Sequence, residues 1–143
     1  MKKTLKSFTC ALLSLVLLFC FVSCGNTVDN TGLWASANHL KDTEFGNGKT
    51  AVQVEVIAEE QSVTFTINTD KTTLGDALLE YDLIAGEEGQ YGLYIKVVNG
   101  ITADYDVDQS YWAFCKNGEY MMTGVDGTEI SDGEHYELIY TKQ

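Results

Sequence analysis

Three aspartates stand at alternate positions, Asp104, Asp106 and Asp108, the spacing of the first ligands of a calcium-binding loop. That template then requires Gly at its sixth position and Glu at its twelfth, where this chain has Gln109 and Cys115. The run is therefore no EF-hand. It reads as a solvated acidic loop, or as a weak metal site completed by carbonyls and water. Around it gather Tyr91, Tyr94, Tyr105, Tyr111, Trp112 and Tyr120. Rings beside polar groups suit a flat apolar ligand or a sugar face, and they equally well cover the open face of a sheet. Cys115 can be set against His39 or His135 as nucleophile and base. It lies inside a predicted strand, however, beside a lone cation at Lys116, and reads as a small core hydrophobe. There is no Ser-centred elbow, no His pair at zinc spacing and no phosphate-cradling Gly loop. The expectation is a binding protein and not an enzyme.

The elements that must position these residues follow from periodicity. Asn99-Gly100 and Asn117-Gly118 each lie between apolar, β-branched or aromatic runs, the signature of a hairpin with a type I′ turn. Val52, Val54 and Val56 alternate along one predicted strand, Gln53 to Ile57, and Val63, Phe65 and Ile67 along the next, Ser62 to Asn68. Then the period changes. Leu74, Ala77, Leu78 and Tyr81 make a helical stripe, with Thr73 and Asp76 placed as a capping box and Ala85-Gly86 as its end. Further strands are expected at Tyr91 to Val98, Ile101 to Ala103, Tyr111 to Lys116, Glu119 to Met122 and His135 to Thr141. Trp112 and Phe114 should point inward, with Tyr111 more exposed. Leu33-Trp34-Ala35 reads as the start of a strand and Asp42 to Lys49 as a turn. A hairpin, one helix and then more strands predicts an α+β fold, a β-grasp-like mixed sheet with one helix on one face.

The chain begins with Lys2, Lys3 and Lys6, continues with an apolar run from Phe8 to Val22, and then reads Ser23-Cys24-Gly25. That order marks a secretory signal at 1–23, too short to be a convincing membrane span. Phe21-Val22-Ser23-Cys24 resembles a bacterial lipobox. It implies a lipidated Cys24, a tether over 24–32 and a folded domain over 33–143, held outside the cytoplasm at the membrane surface. Cys10 and Cys20 leave with the signal, so Cys115 is the one cysteine of the folded part and no internal disulfide is expected. All 21 acidic residues follow Cys24, against six lysines and no arginine, which gives −15 for the mature chain. Such a surface repels phosphate backbones, and nucleic acid is excluded as a partner.

Larger blocks carry a family likeness: Thr73-Leu74-Gly75-Asp76-Ala77-Leu78, Tyr91 to Lys96, Val98 to Ile101, Ser110-Tyr111-Trp112-Ala113-Phe114, Gly118-Glu119-Tyr120, Thr123-Gly124-Val125 and Ile130 to Gly133. In these the chain resembles bacterial lipoproteins catalogued as domain of unknown function 4430. More faintly, over about Thr72 to Tyr140, it resembles the C-terminal domain of transcobalamin and intrinsic factor. The resemblance implies a β-grasp-like domain that covers cobalamin from one side. The helical barrel that closes the other side in the vitamin carriers has no counterpart in this sequence, so half a site is implied. Trp112 and Gly124-Val125 fall where those proteins have an aromatic pair and a Gly with a small apolar residue. Cys115 departs from the large residue usual there. The residues to examine are Tyr91, Tyr94, Asn99, Tyr111, Trp112, Gly124 and Val125, with cobalamin or a related corrinoid as lead ligand and a membrane uptake system as implied partner. A surface module that docks a glycan or another protein is the competing expectation.

Overall fold

The computed structural model describes residues 26–143. The expected signal and the lipidation site Cys24 lie outside the described residues. The order is β1 (Thr43–Gly46), β2 (Thr50–Ala58), β3 (Gln61–Thr69), α1 (Leu74–Glu80), β4 (Ile84–Gly89), β5 (Gly92–Val98), β6 (Ile101–Thr102), α2 (Tyr105–Asp108), β7 (Ser110–Lys116), β8 (Glu119–Tyr120) and β9 (His135–Lys142). Two 3₁₀ turns, Gly32–Ser36 and Val125–Gly127, complete it. This is a mixed α+β fold dominated by sheet.

The strands form two sheets and not one. A six-stranded sheet runs β1-β3-β2-β9-β7-β8, and a three-stranded one runs β4-β5-β6. In the larger sheet β9 is central, parallel to β2 and antiparallel to β7. The alternation in β2 and β3 is realised as expected. Val52, Val54 and Val56 pair across to Ile67, Phe65 and Val63, and all six are fully buried. Leu74, Ala77 and Leu78 of α1 join them in one core cluster with Leu138 and Tyr136 of β9.

Both Asn-Gly corners adopt positive φ at both residues, 52° and 81° at Asn99-Gly100 and 50° and 82° at Asn117-Gly118. Thr73 caps α1 by accepting from Asp76 N at 3.3 Å. The helix stops earlier than Ala85-Gly86. Asp82 takes φ 53°, its N–H reaches Leu79 O and the Leu83 N–H reaches Leu78 O, a Schellman closure with Asp where Gly is usual. Ala85-Gly86 therefore lies in β4, a strand with no alternating signal. Two further expectations are corrected. Leu33-Trp34-Ala35 lies in a 3₁₀ turn whose Trp34 indole donates to Ala58 O at 2.9 Å, and Thr43–Gly46 is an edge strand parallel to β3.

Candidate functional site

A groove of about 160 Å³ opens where β5, β7 and the turn after β8 meet. Leu93, Tyr94 and Ile95 come from β5, Trp112 and Phe114 from β7, and Thr123, Gly124 and Val125 from the turn. Alternation along β7 sends Trp112 and Phe114 to this side and Tyr111 to the other. Trp112 is 8% exposed and stands edge-to-face with Tyr140, centroids 5.6 Å apart. Its Nε1 is buried and has no hydrogen-bond partner.

The turn that forms one wall is braced by its own threonines. Thr128 Oγ1 donates to Gly124 O at 2.8 Å and lies 3.1 Å from Thr123 Oγ1. Leu74 N, at the start of α1, donates to Thr128 O at 2.9 Å. Asp126 ties the wall to the β4–β5 hairpin, where its Oδ2 accepts from Leu93 N at 3.2 Å. Gly92 adopts φ 103°, and a β-carbon there would lie 2.5 Å from Asp126 Oδ2, so the carboxylate and the hairpin fit only around glycine.

The structure brings together four of the seven residues singled out in the sequence: Tyr94, Trp112, Gly124 and Val125. Tyr91 sits at the tip of the β4–β5 hairpin, 91% exposed, in an adjoining depression of about 290 Å³ that shares Leu93 and Tyr94 with the groove. Two do not belong. Tyr111 faces away, because it alternates with Trp112. Asn99 is fully buried; its Oδ1 accepts from His39 N at 2.9 Å and its Nδ2 donates to His39 O at 2.8 Å. Both polar ends bond to backbone and the residue is out of a ligand's reach, so Asn99 ties two loops together. Leu93, Ile95, Phe114 and Thr123 were not singled out as site residues. β5 and β7 carry the alternation that could have flagged the first three.

The acidic run is likewise corrected, from loop to helix. Asp104 caps α2 by accepting from Asp106 N at 3.0 Å, and Gln109 ends it in the left-handed region. Asp108 accepts from Ser110 Oγ and pairs with Lys142 at 3.3 Å. The Ser110 hydrogen bond, with help from Lys142, holds its carboxyl below the ordinary 3.8 against the opposing effect of burial. Asp104, Asp106 and Asp108 do not form a ligand set, and among the described residues no three His, Cys, Asp or Glu side chains converge to hold a metal ion. Cys115 is buried, and burial followed by the charge of Glu137 pushes its thiol up from 9.0.

The model of the family described as domain of unknown function (DUF4430) matches residues 71–142, which include β4 to β9 and every residue of the groove. The chain belongs to this family. Among solved structures, a protein of Ruminococcus gnavus ATCC 29149, described as a candidate metal binding protein, is 38% identical. The match covers 66% of this chain and 99% of that one, at a TM-score of 0.63. Haptocorrin in complex with Cbi is 21% identical, with a TM-score of 0.56 over 80% of this chain and 29% of haptocorrin. That second likeness is one of fold. No curated protein matches the chain.

Proposed function

We propose that this chain is an extracytoplasmic ligand-binding module of β-grasp type, tethered to a membrane through a lipidated Cys24, that binds a small molecule at the groove of Tyr94, Trp112, Gly124 and Val125. The observation that carries the reading is the groove itself. Rings and small residues from three separate segments converge there, and the turn that walls it is braced by hydrogen bonds of its own. Cobalamin or a related corrinoid is the lead ligand, by sequence resemblance and by the fold shared with haptocorrin. A groove of about 160 Å³ is below the roughly 300–1,000 Å³ of sites that enclose a whole small molecule. It would therefore grip one side of such a ligand, and an uptake system in the membrane would receive it. Metal binding, the description attached to the Ruminococcus protein, is not carried over, since Asp104 caps α2, Asp108 is held by Ser110 and Lys142, and no three such side chains converge among the described residues.

Stacking and apolar burial would supply the affinity, with the Gly124 backbone setting orientation. A second reading is favoured by Tyr91 and Met122, 91% and 98% exposed outside the groove: a surface that docks a glycan or a partner protein. Titration of cyanocobalamin into the mature protein separates the two. Trp34 is already sealed and hydrogen-bonded, so saturable quenching of Trp112, weakened about tenfold by Tyr94→Ala, is the expected result. No quenching at about 100 μM ligand would remove the corrinoid. Glycan binding lost on Tyr91→Ala would then favour the docking surface.

A further inference from the structure

The chain has two tryptophans, and the fold treats them differently. Trp34 is fully buried and its indole N–H is paired with Ala58 O at 2.9 Å. Trp112 is nearly as deep, yet its Nε1 has no acceptor, and no other buried side-chain nitrogen or oxygen among the described residues shares that condition. Folded proteins rarely leave a buried donor unpaired, because it has lost water and gained nothing. Tyr140, edge-to-face with the indole, offers at best a π contact of second order.

We propose that Trp112 is the hydrogen-bond donor of the groove, and that the groove takes a neutral, acceptor-bearing portion of a larger apolar molecule. The inference rests on the groove being a binding site and names the chemistry it selects. An indole nitrogen donates and never accepts, so the atom it meets must be an acceptor. None of the eight residues lining the groove is charged, so an ionised group entering it would lose its water without a counter-charge. The chain's net charge of −12 discourages anions further. At about 160 Å³ the groove accepts a projecting part of a ligand and not the whole. Nε1 is sealed from solvent in this conformation, so the acceptor enters as the rim parts. Tyr94, which lines the groove, is 43% exposed.

The test uses the chain over 24–143 with Cys24→Ser, and follows both indole N–H resonances by NMR. The probes are N-cyclohexylacetamide and, as an acceptor-free match in shape, isobutylcyclohexane at saturation. The amide should move the Trp112 N–H downfield saturably and leave that of Trp34 in place. The hydrocarbon should perturb Leu93 and Val125 without that shift. Trp112→Phe should weaken the amide about tenfold and the hydrocarbon less than about twofold. The proposal is overturned if the amide binds with the Trp112 N–H unmoved, or if the hydrocarbon moves it as far. The wild-type comparison needs no variant and stands even if Trp112→Phe fails to fold. Neither probe is a corrinoid, so failure of cyanocobalamin to bind leaves this result intact. Silence of the groove to both probes overturns the groove as a site along with its donor.

Discussion

Gly75 in the first turn of α1 and Asp126 in the groove wall meet backbone to backbone. A β-carbon on Gly75 would lie 2.8 Å from Asp126 Cα and 3.0 Å from its N. Helix propensity alone makes Gly75→Ala favourable by roughly 1 kcal/mol. The contact opposes it, since backbone cannot swing aside as a side-chain end can, and overpacking of this kind costs about 1–3 kcal/mol. The contact should win. Gly75→Ala is expected to lower the melting temperature by several degrees in a calorimetric scan. A raised melting temperature would show that the wall yields freely to the helix.

What could be read from the sequence, and what could not, divides by how local the signal is. β2 and β3 were legible because every second residue is apolar and fully buried. The two Asn-Gly turns were legible because few other residue pairs accept positive φ twice. β4 was hidden because its only buried residue is Ile84; the rest, Ala85-Gly86-Glu87-Glu88-Gly89, face solvent and are held by pairing to β5. β1 was hidden because its partner, β3, lies about twenty residues further along and runs parallel. In the groove, Trp112, Gly124 and Val125 were found through family resemblance. The bond network that makes Asn99 structural depends on His39, sixty residues away, and no local pattern reports it.

Asn99→Ala should therefore damage the fold and spare the groove. It strips the His39 N–H and C=O of their partners, and it places Ala at φ 52°. A loss of about 2–4 kcal/mol in urea unfolding is expected. Asn99→Gly keeps the turn and isolates the hydrogen-bond part, so it should lose less. Fragment affinity in whichever variant remains folded should match wild type. A selective loss of affinity at unchanged stability would return Asn99 to the site.

One half-buried cluster contributes to the pH dependence of stability at both ends. Tyr136 donates to Glu134 Oε2, Ser131 N donates to the same oxygen at 2.9 Å, and Lys116 Nζ pairs with Glu134 Oε1 at 2.8 Å. Burial, then the neighbouring carboxylate, raises Tyr136 well above its ordinary 10.0. Its contribution is complete below pH 10 and lost as pH climbs beyond it, because the unfolded chain gives up that proton first. Burial works to raise Glu134, but the bonds from Lys116, Tyr136 and Ser131 outweigh it and hold the carboxyl below 4.5. That contribution is present above pH 4.5 and lost as pH falls through the lowered value. Denaturant midpoints against pH should show both limbs. Tyr136→Phe should flatten the alkaline one, and an unchanged alkaline limb in that variant would assign it elsewhere.

Asp126 is expected to govern the hairpin without governing the fold. Its carboxylate holds the Leu93 amide, and so positions the Leu93 and Tyr94 edge of the groove against the Gly124 wall. Asp126 itself is exposed, and replacing it disturbs no part of the core. Asp126→Ala should therefore change global stability by less than about 1 kcal/mol. Hydrogen exchange should accelerate locally, at Leu93 and the hairpin tip, while Val54 and Leu138 keep full protection. Binding of N-cyclohexylacetamide should weaken with the same Trp112 shift at saturation, since the donor is untouched and only the rim has loosened. Equal acceleration at Val54 and Leu138 would mean that Asp126 supports the whole domain and not the edge of one groove.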